Sequence, residues 1–90
     1  MYYIKGRGWF VVRDSARKHG VADGDMCHAI AHSIVVLVVD RGPRGRAIHL
    51  GASPSGSLLE VVTVDEGEGK VLIIHAMAMR PKFMRYLTSW

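Results

Sequence analysis

Ninety residues, 49% of them hydrophobic, can close one core but not two, so a single domain over residues 1–90 is expected. The net charge of +4 favours polyanionic partners, and the lone Cys27 excludes an internal disulfide and a cysteine-only zinc site, which suits a reducing cytoplasm. No apolar run approaches the roughly 18 residues of a membrane span, and Lys5, Arg7 and Arg13 break up any signal-peptide core. A domain of this size is marginally stable alone, so a partner chain or a homo-oligomer would help it.

Met1–Val12 mixes Tyr2, Tyr3, Trp9 and Phe10 with Gly6 and Gly8. It reads equally as a short edge strand, an arm packed on a partner, or a partly ordered leader. Asp14 or Ser15 suits the N-cap of a short helix over Ala16–His19, which Gly20 would stop. A second helix is expected from Val21 to about Ser33. Asp23 or Asp25 would complement its dipole, and Met26, Ala29 and Ile30 would face a sheet.

The period then changes. Ile34–Val39 is an unbroken β-branched and aliphatic run, the pattern of a strand buried on both faces. Strands are also expected at Arg46–Leu50, Ser57–Val64 and Lys70–Ala76, separated by the turn-rich segments Asp40–Gly45, Gly51–Gly56 and Asp65–Gly69. Connections this short allow only antiparallel neighbours. Pro81 fits the first turn of a short terminal helix bearing Lys82 and Arg85. The expected fold is therefore α+β: two N-terminal helices, a four-stranded antiparallel meander and a short C-terminal helix, with the helices on one face.

Two groups of side chains bear on chemistry. His28 and His32, one helical turn apart, have the spacing of a zinc pair, with Asp25 a turn earlier. Ala29 stands where a metalloprotease would carry its glutamate, and such pairs also occur on water-facing helices, so no metal is assigned. The second group depends on register. If both turns close symmetrically, His49, Glu60 and His75 form one row across three strands. The carboxylate would then orient two imidazoles for acid–base work. Arg46, Arg80 and Lys82 would bind and stabilise a phosphate alongside. A slip of one residue would break the row, leaving the polar face of an ordinary sheet. Met77, Met79 and Met84 read as core fillers or an apolar contact surface, Cys27 as an inert buried thiol, and the glycine-rich segments as turns.

Lys18-His19-Gly20-Val21 ahead of an acidic helix resembles the K-H-G-[IV] segment of BrnT-type toxins of bacterial type II toxin–antitoxin systems. Gly56–Val62 (GSLLEVV) is similar to their G-R-L-L-x-V-x strand. Val71–Tyr86 stands where they carry an I-I-S-A-R strand end and a basic helix with a tyrosine. The resemblance spans roughly Ser15–Tyr86. It implies a RelE-like ribonuclease fold, cleavage of messenger RNA without a cofactor, and neutralisation by a cognate antitoxin. The matching site positions are Lys18, His19, Arg80 and Tyr86. The chain departs from the pattern at His75 and Met77, which replace the serine and arginine of S-A-R, and it lacks the W-D-P opening.

The expected function is thus a toxin-like, metal-independent endoribonuclease. His75, His49, Glu60 and Arg80 would be catalytic, and Arg46, Lys82, Arg85, Lys18 and Tyr86 would bind RNA. The alternative is a small basic module that binds a protein partner or nucleic acid without catalysis.

Overall fold

The computed structural model describes residues 1–88. In chain order it contains β1 (Tyr2–Ile4), β2 (Gly8–Val12), α1 (Asp14–Arg17), α2 (Asp23–Ala31), β3 (Ser33–Val38), β4 (Arg46–Ala52), β5 (Leu58–Gly67) and β6 (Lys70–Ala78). A 3₁₀ turn at Pro81–Phe83 and α3 (Arg85–Thr88) follow. The strands form one six-stranded sheet in the order β1-β2-β6-β5-β4-β3. β3 to β6 make the expected antiparallel meander, and β2 pairs with β6 in parallel.

The four-stranded antiparallel sheet is therefore corrected to a six-stranded mixed one. The aromatic N-terminal segment is neither arm nor leader but a β-hairpin, Tyr2 opposite Phe10 and Ile4 opposite Gly8. Its second strand lies along the free edge of β6, from Trp9 opposite Lys70 to Val12 opposite Ile73. The long crossover that a parallel pair requires is supplied by everything between the two strands: α1, α2 and the first three strands of the meander. Gly8, at φ +106°, permits the junction, since a Cβ there would overlap the Gly69 carbonyl oxygen that accepts the Trp9 N–H at 2.8 Å. The two leading helices thus follow two strands.

The helices also fail to share one face. α2 packs on β4 and β5, and α1 lies along β6 where β2 ends. The core between this layer and the sheet comprises Ile4, Phe10, Val12, Ala16, Met26, Ala29, Ile30, Leu59, Val61, Ile73 and Ala76. Leu50, Val64 and Phe83 are buried outside that cluster. They mark a second, thinner layer, where the Pro81–Phe83 turn folds back across the other face and α3 reaches β3. Ile34–Val39 is not buried on both faces: β3 is the sheet edge, and Ile34, Val36, Val38 and Val39 are exposed. Among the described residues no helix is long and apolar enough to cross a membrane.

Candidate functional site

The predicted histidine–glutamate row breaks in two places. β4 and β5 pair with His49 opposite Val61 and Leu50 opposite Glu60, one residue away from the symmetric register. A slip of one sends a side chain to the other face. His49 accordingly lies on the α2 side. β5 and β6 pair with Glu60 opposite Met77 and His75 opposite Val62, two residues away from the symmetric register, with a shift between Val62 and Thr63. A slip of two preserves the face, so Glu60 and His75 still meet, diagonally.

Glu60 is fully buried, which for a carboxylate requires partners. It has them. Oε1 accepts the Arg80 backbone N–H at 2.9 Å and the Arg80 Nε–H at 3.0 Å. Oε2 accepts Arg80 Nη2–H at 2.7 Å and His75 Nε2–H at 3.2 Å. Burial pushes the Glu60 pKa up. The Arg80 guanidinium and backbone N–H, with the His75 ring, outweigh it and hold the carboxyl below its usual value. Glu60 thus stays ionised. It makes His75 Nε2 the donor and leaves Nδ1, which has no hydrogen-bond partner among the described residues, as the acceptor. His75 keeps a quarter of its side chain exposed, and its ring meets His19 edge-on at a centroid distance of 5.6 Å. His19 follows α1, and Lys18, exposed, is its neighbour.

The basic C-terminal segment continues from Arg80. Phe83 is buried, and Arg80 Cζ and Lys82 Nζ sit 5.7 and 5.2 Å from its ring centroid. Arg85 lies against Tyr86, 4.9 Å from the ring centre, and donates from Nη2 to the phenol oxygen at 2.9 Å. His19, His75, Arg80, Lys82, Arg85 and Tyr86 therefore run from the end of α1 across the end of β6 into α3. In the sequence His19 is marked only by the K-H-G-V resemblance; its meeting with His75 depends on α1 lying along β6, which needs the parallel strand pair.

Two expected members are elsewhere. His49 is buried between α2 and the sheet: Ser33 spends its hydroxyl proton on the Ile30 carbonyl at 2.7 Å, so His49 Nδ1–H donates to Ser33 Oγ, at 3.4 Å. Nε2 then accepts the Thr63 hydroxyl at 2.9 Å. Burial, with a smaller contribution from the Arg7 charge, lowers the His49 pKa to about 4. It is a neutral structural ring. Arg46 stands opposite Val64, at the far end of β4 from Glu60, and its Nε donates to Asp40 at 2.8 Å. Both line an open concavity of about 500 Å³ on the α2 side, whose rim carries Arg7, Arg41, Asp40 and Asp65 in mixed sign.

His28 and His32 do stand side by side, with ring centroids 4.3 Å apart. The His28 Nδ1–H donates to the Ala52 carbonyl at 2.8 Å, and among the described residues no third histidine, cysteine or carboxylate joins them in a metal-holding group.

Comparison of the chain with family models, with curated proteins and with solved structures finds no match.

Proposed function

We propose that this protein is a toxin-like endoribonuclease acting on messenger RNA in the cytoplasm, without a metal, and held in check by a small cognate antitoxin. The observation that carries the reading is the quarter-exposed His75 ring, held through Nε2 by a buried, ionised Glu60 and standing beside a second imidazole, His19. Two imidazoles at neighbouring positions supply the base and the acid that RNA transesterification needs. His75 Nδ1 takes the proton of a ribose 2′-hydroxyl, whose oxygen attacks the adjacent phosphorus. The P–O5′ bond breaks, and His19 delivers a proton to the leaving oxygen. The products are a 2′,3′-cyclic phosphate and a free 5′-hydroxyl.

Arg80 serves twice. Nε and Nη2 hold Glu60, while the side chain remains 45% exposed and can contribute charge to the scissile phosphate. Lys82 and Arg85 extend the cationic track, and Tyr86, 37% exposed, offers a face on which a base can stack. Lys18 adds charge on the His19 side.

The test is induced expression in a bacterial host of the wild type, His75→Ala and His19→Ala, with total RNA examined for new ends. Wild type should arrest growth and leave 2′,3′-cyclic phosphates, and each variant should reduce cleavage by about 10²–10⁴-fold, the range for a lost acid or base. Undiminished cleavage by His75→Ala would sink the assignment. Normal growth with intact RNA, together with salt-sensitive retention on RNA in vitro, would instead favour a non-catalytic basic binding module.

A further inference from the structure

The outer edge of the sheet poses a separate question. Among the described residues β3 ends the sheet, and no other strand pairs with its outer backbone groups. Natural edges are protected by shortness, charge, proline or a bulge, because an open edge templates pairing with another chain. The opposite edge follows that rule: β1 has three residues and Lys5 comes next. β3 does not. Its sequence, SIVVLV, contains no charge and no proline, and its one register shift falls at the start, between Ser33 and Val35. From Val35 onward the edge is regular.

The side chains add to the exposure. α2 covers β4 and β5 but stops short of β3, so Val36 and Val38, which share a face with His49 and Ala47, stay 42% and 53% exposed. Val39 is 52% exposed just beyond the strand. Contiguous apolar patches of this kind mark contact sites on small proteins.

We propose that β3 is a homodimer interface, on which a second copy of this chain pairs its own β3 antiparallel to form a continuous twelve-stranded sheet across a two-fold axis at Leu37. Opposed residues of an antiparallel pair share a face, so their numbers must sum to an even value. Centring on Leu37 satisfies this and avoids the shift near Ile34. Leu37 then meets its own copy, Val36 of each chain meets Val38 of the other, and Val35 meets Val39. The opposed pairs from Val35 to Val39 are all apolar, so no charge is buried at the centre of the contact even though each chain carries +4 overall, and Ile34 opposes Asp40 only at its rim. A partner recruited by charge would find nothing to recognise between Val35 and Val39, whereas a second copy matches that stretch apolar residue for apolar residue. His75 lies on β6, three strands inward from β3, and only α3, which carries Arg85 and Tyr86, reaches β3.

The full chain should be followed by sedimentation velocity from micromolar to millimolar concentration, beside Val36→Lys, Val38→Lys and His75→Ala. Mass should double with concentration in the wild type and in His75→Ala. Val36→Lys and Val38→Lys change exposed side chains, so both should keep the wild-type circular dichroism and remain monomeric throughout. A register check uses Leu37→Cys in a Cys27→Ser background, which should cross-link to itself on oxidation while Ile34→Cys does not. A wild type monomeric at every concentration, including one that binds only an unrelated extended peptide, overturns the proposal. So does a dimer that persists in both folded lysine variants. Neither outcome bears on the ribonuclease reading, which is scored by RNA cleavage and not by mass.

Discussion

At the scale of single residues, Glu60 joins the fold to the site. A carboxylate with 1% side-chain exposure can be tolerated only while its charge is matched, and Arg80 does most of the matching. Arg80→Met should therefore destabilise the protein by about 3–5 kcal/mol, since one partner of a buried pair is gone. Adding Glu60→Leu should recover most of the loss, as removing both partners leaves no stranded charge. Urea denaturation of the single and double variants checks this. His49 makes a different prediction through pH. Its folded pKa, about 4, lies below the ordinary 6.5, so the unfolded chain binds more protons between those values. Stability from this group is complete above pH 6.5 and is lost as pH falls through 4, by up to about 3 kcal/mol. Glu60, also depressed, loses its contribution only as pH falls below its ordinary value of 4.5. His49→Gln should accordingly flatten the stability profile between pH 4 and 6.5 while leaving the more acidic fall intact.

At the scale of elements, α2 is seated by a notch. A Cβ on Gly51 would overlap the carbonyl oxygen of Ala29, so helix backbone rests directly on strand backbone. Gly51→Ala should force α2 away and cost about 1–3 kcal/mol or more. Gly24 is the matched contrast: it lies within α2, and a Cβ there meets nothing within 4 Å. Gly24→Ala should stabilise by about 0.5–1 kcal/mol. Thermal denaturation of the two variants should shift in opposite directions. The same elements show how much of the fold is legible in the sequence. The meander from β3 to β6, α2 with Met26, Ala29 and Ile30 inward, and the turn at Pro81 follow from period and turn chemistry. The parallel β2–β6 pair does not, because its partners lie some sixty residues apart and no local signal links them. Without that pair the exposed edge is hidden too, since β3 looks like a central strand by composition alone. For the candidate site, Glu60 and His75 survive a register slip of two, whereas His49 is removed by a slip of one. Turn residues mark where a hairpin closes, but they do not fix its register to one residue.

At the scale of the whole molecule, the distribution of charge matters more than its sum. Arg17 pairs with Asp14 and Asp23, Arg44 with Glu66 and Arg46 with Asp40, so these arginines are matched in place and the net positive charge is carried by other residues. Lys82 and Arg85 instead flank aromatic rings in the C-terminal segment, and no carboxylate is paired with them among the described residues. If single-stranded RNA is the substrate, its backbone should follow this track and release counterions. Removing one phosphate-binding cation lowers the slope of log affinity for a single strand against log salt by about 0.7. Binding of a short RNA by His75→Ala, which should not cleave it, should therefore weaken steeply with salt. Lys82→Ala and Arg85→Ala should each make that slope shallower by about 0.7, whereas Arg44→Ala should leave it unchanged because its charge is already committed to Glu66. Equal slopes in all of these variants would move RNA off the C-terminal track, and the reading of Lys82 and Arg85 as phosphate-binding residues would fall with it.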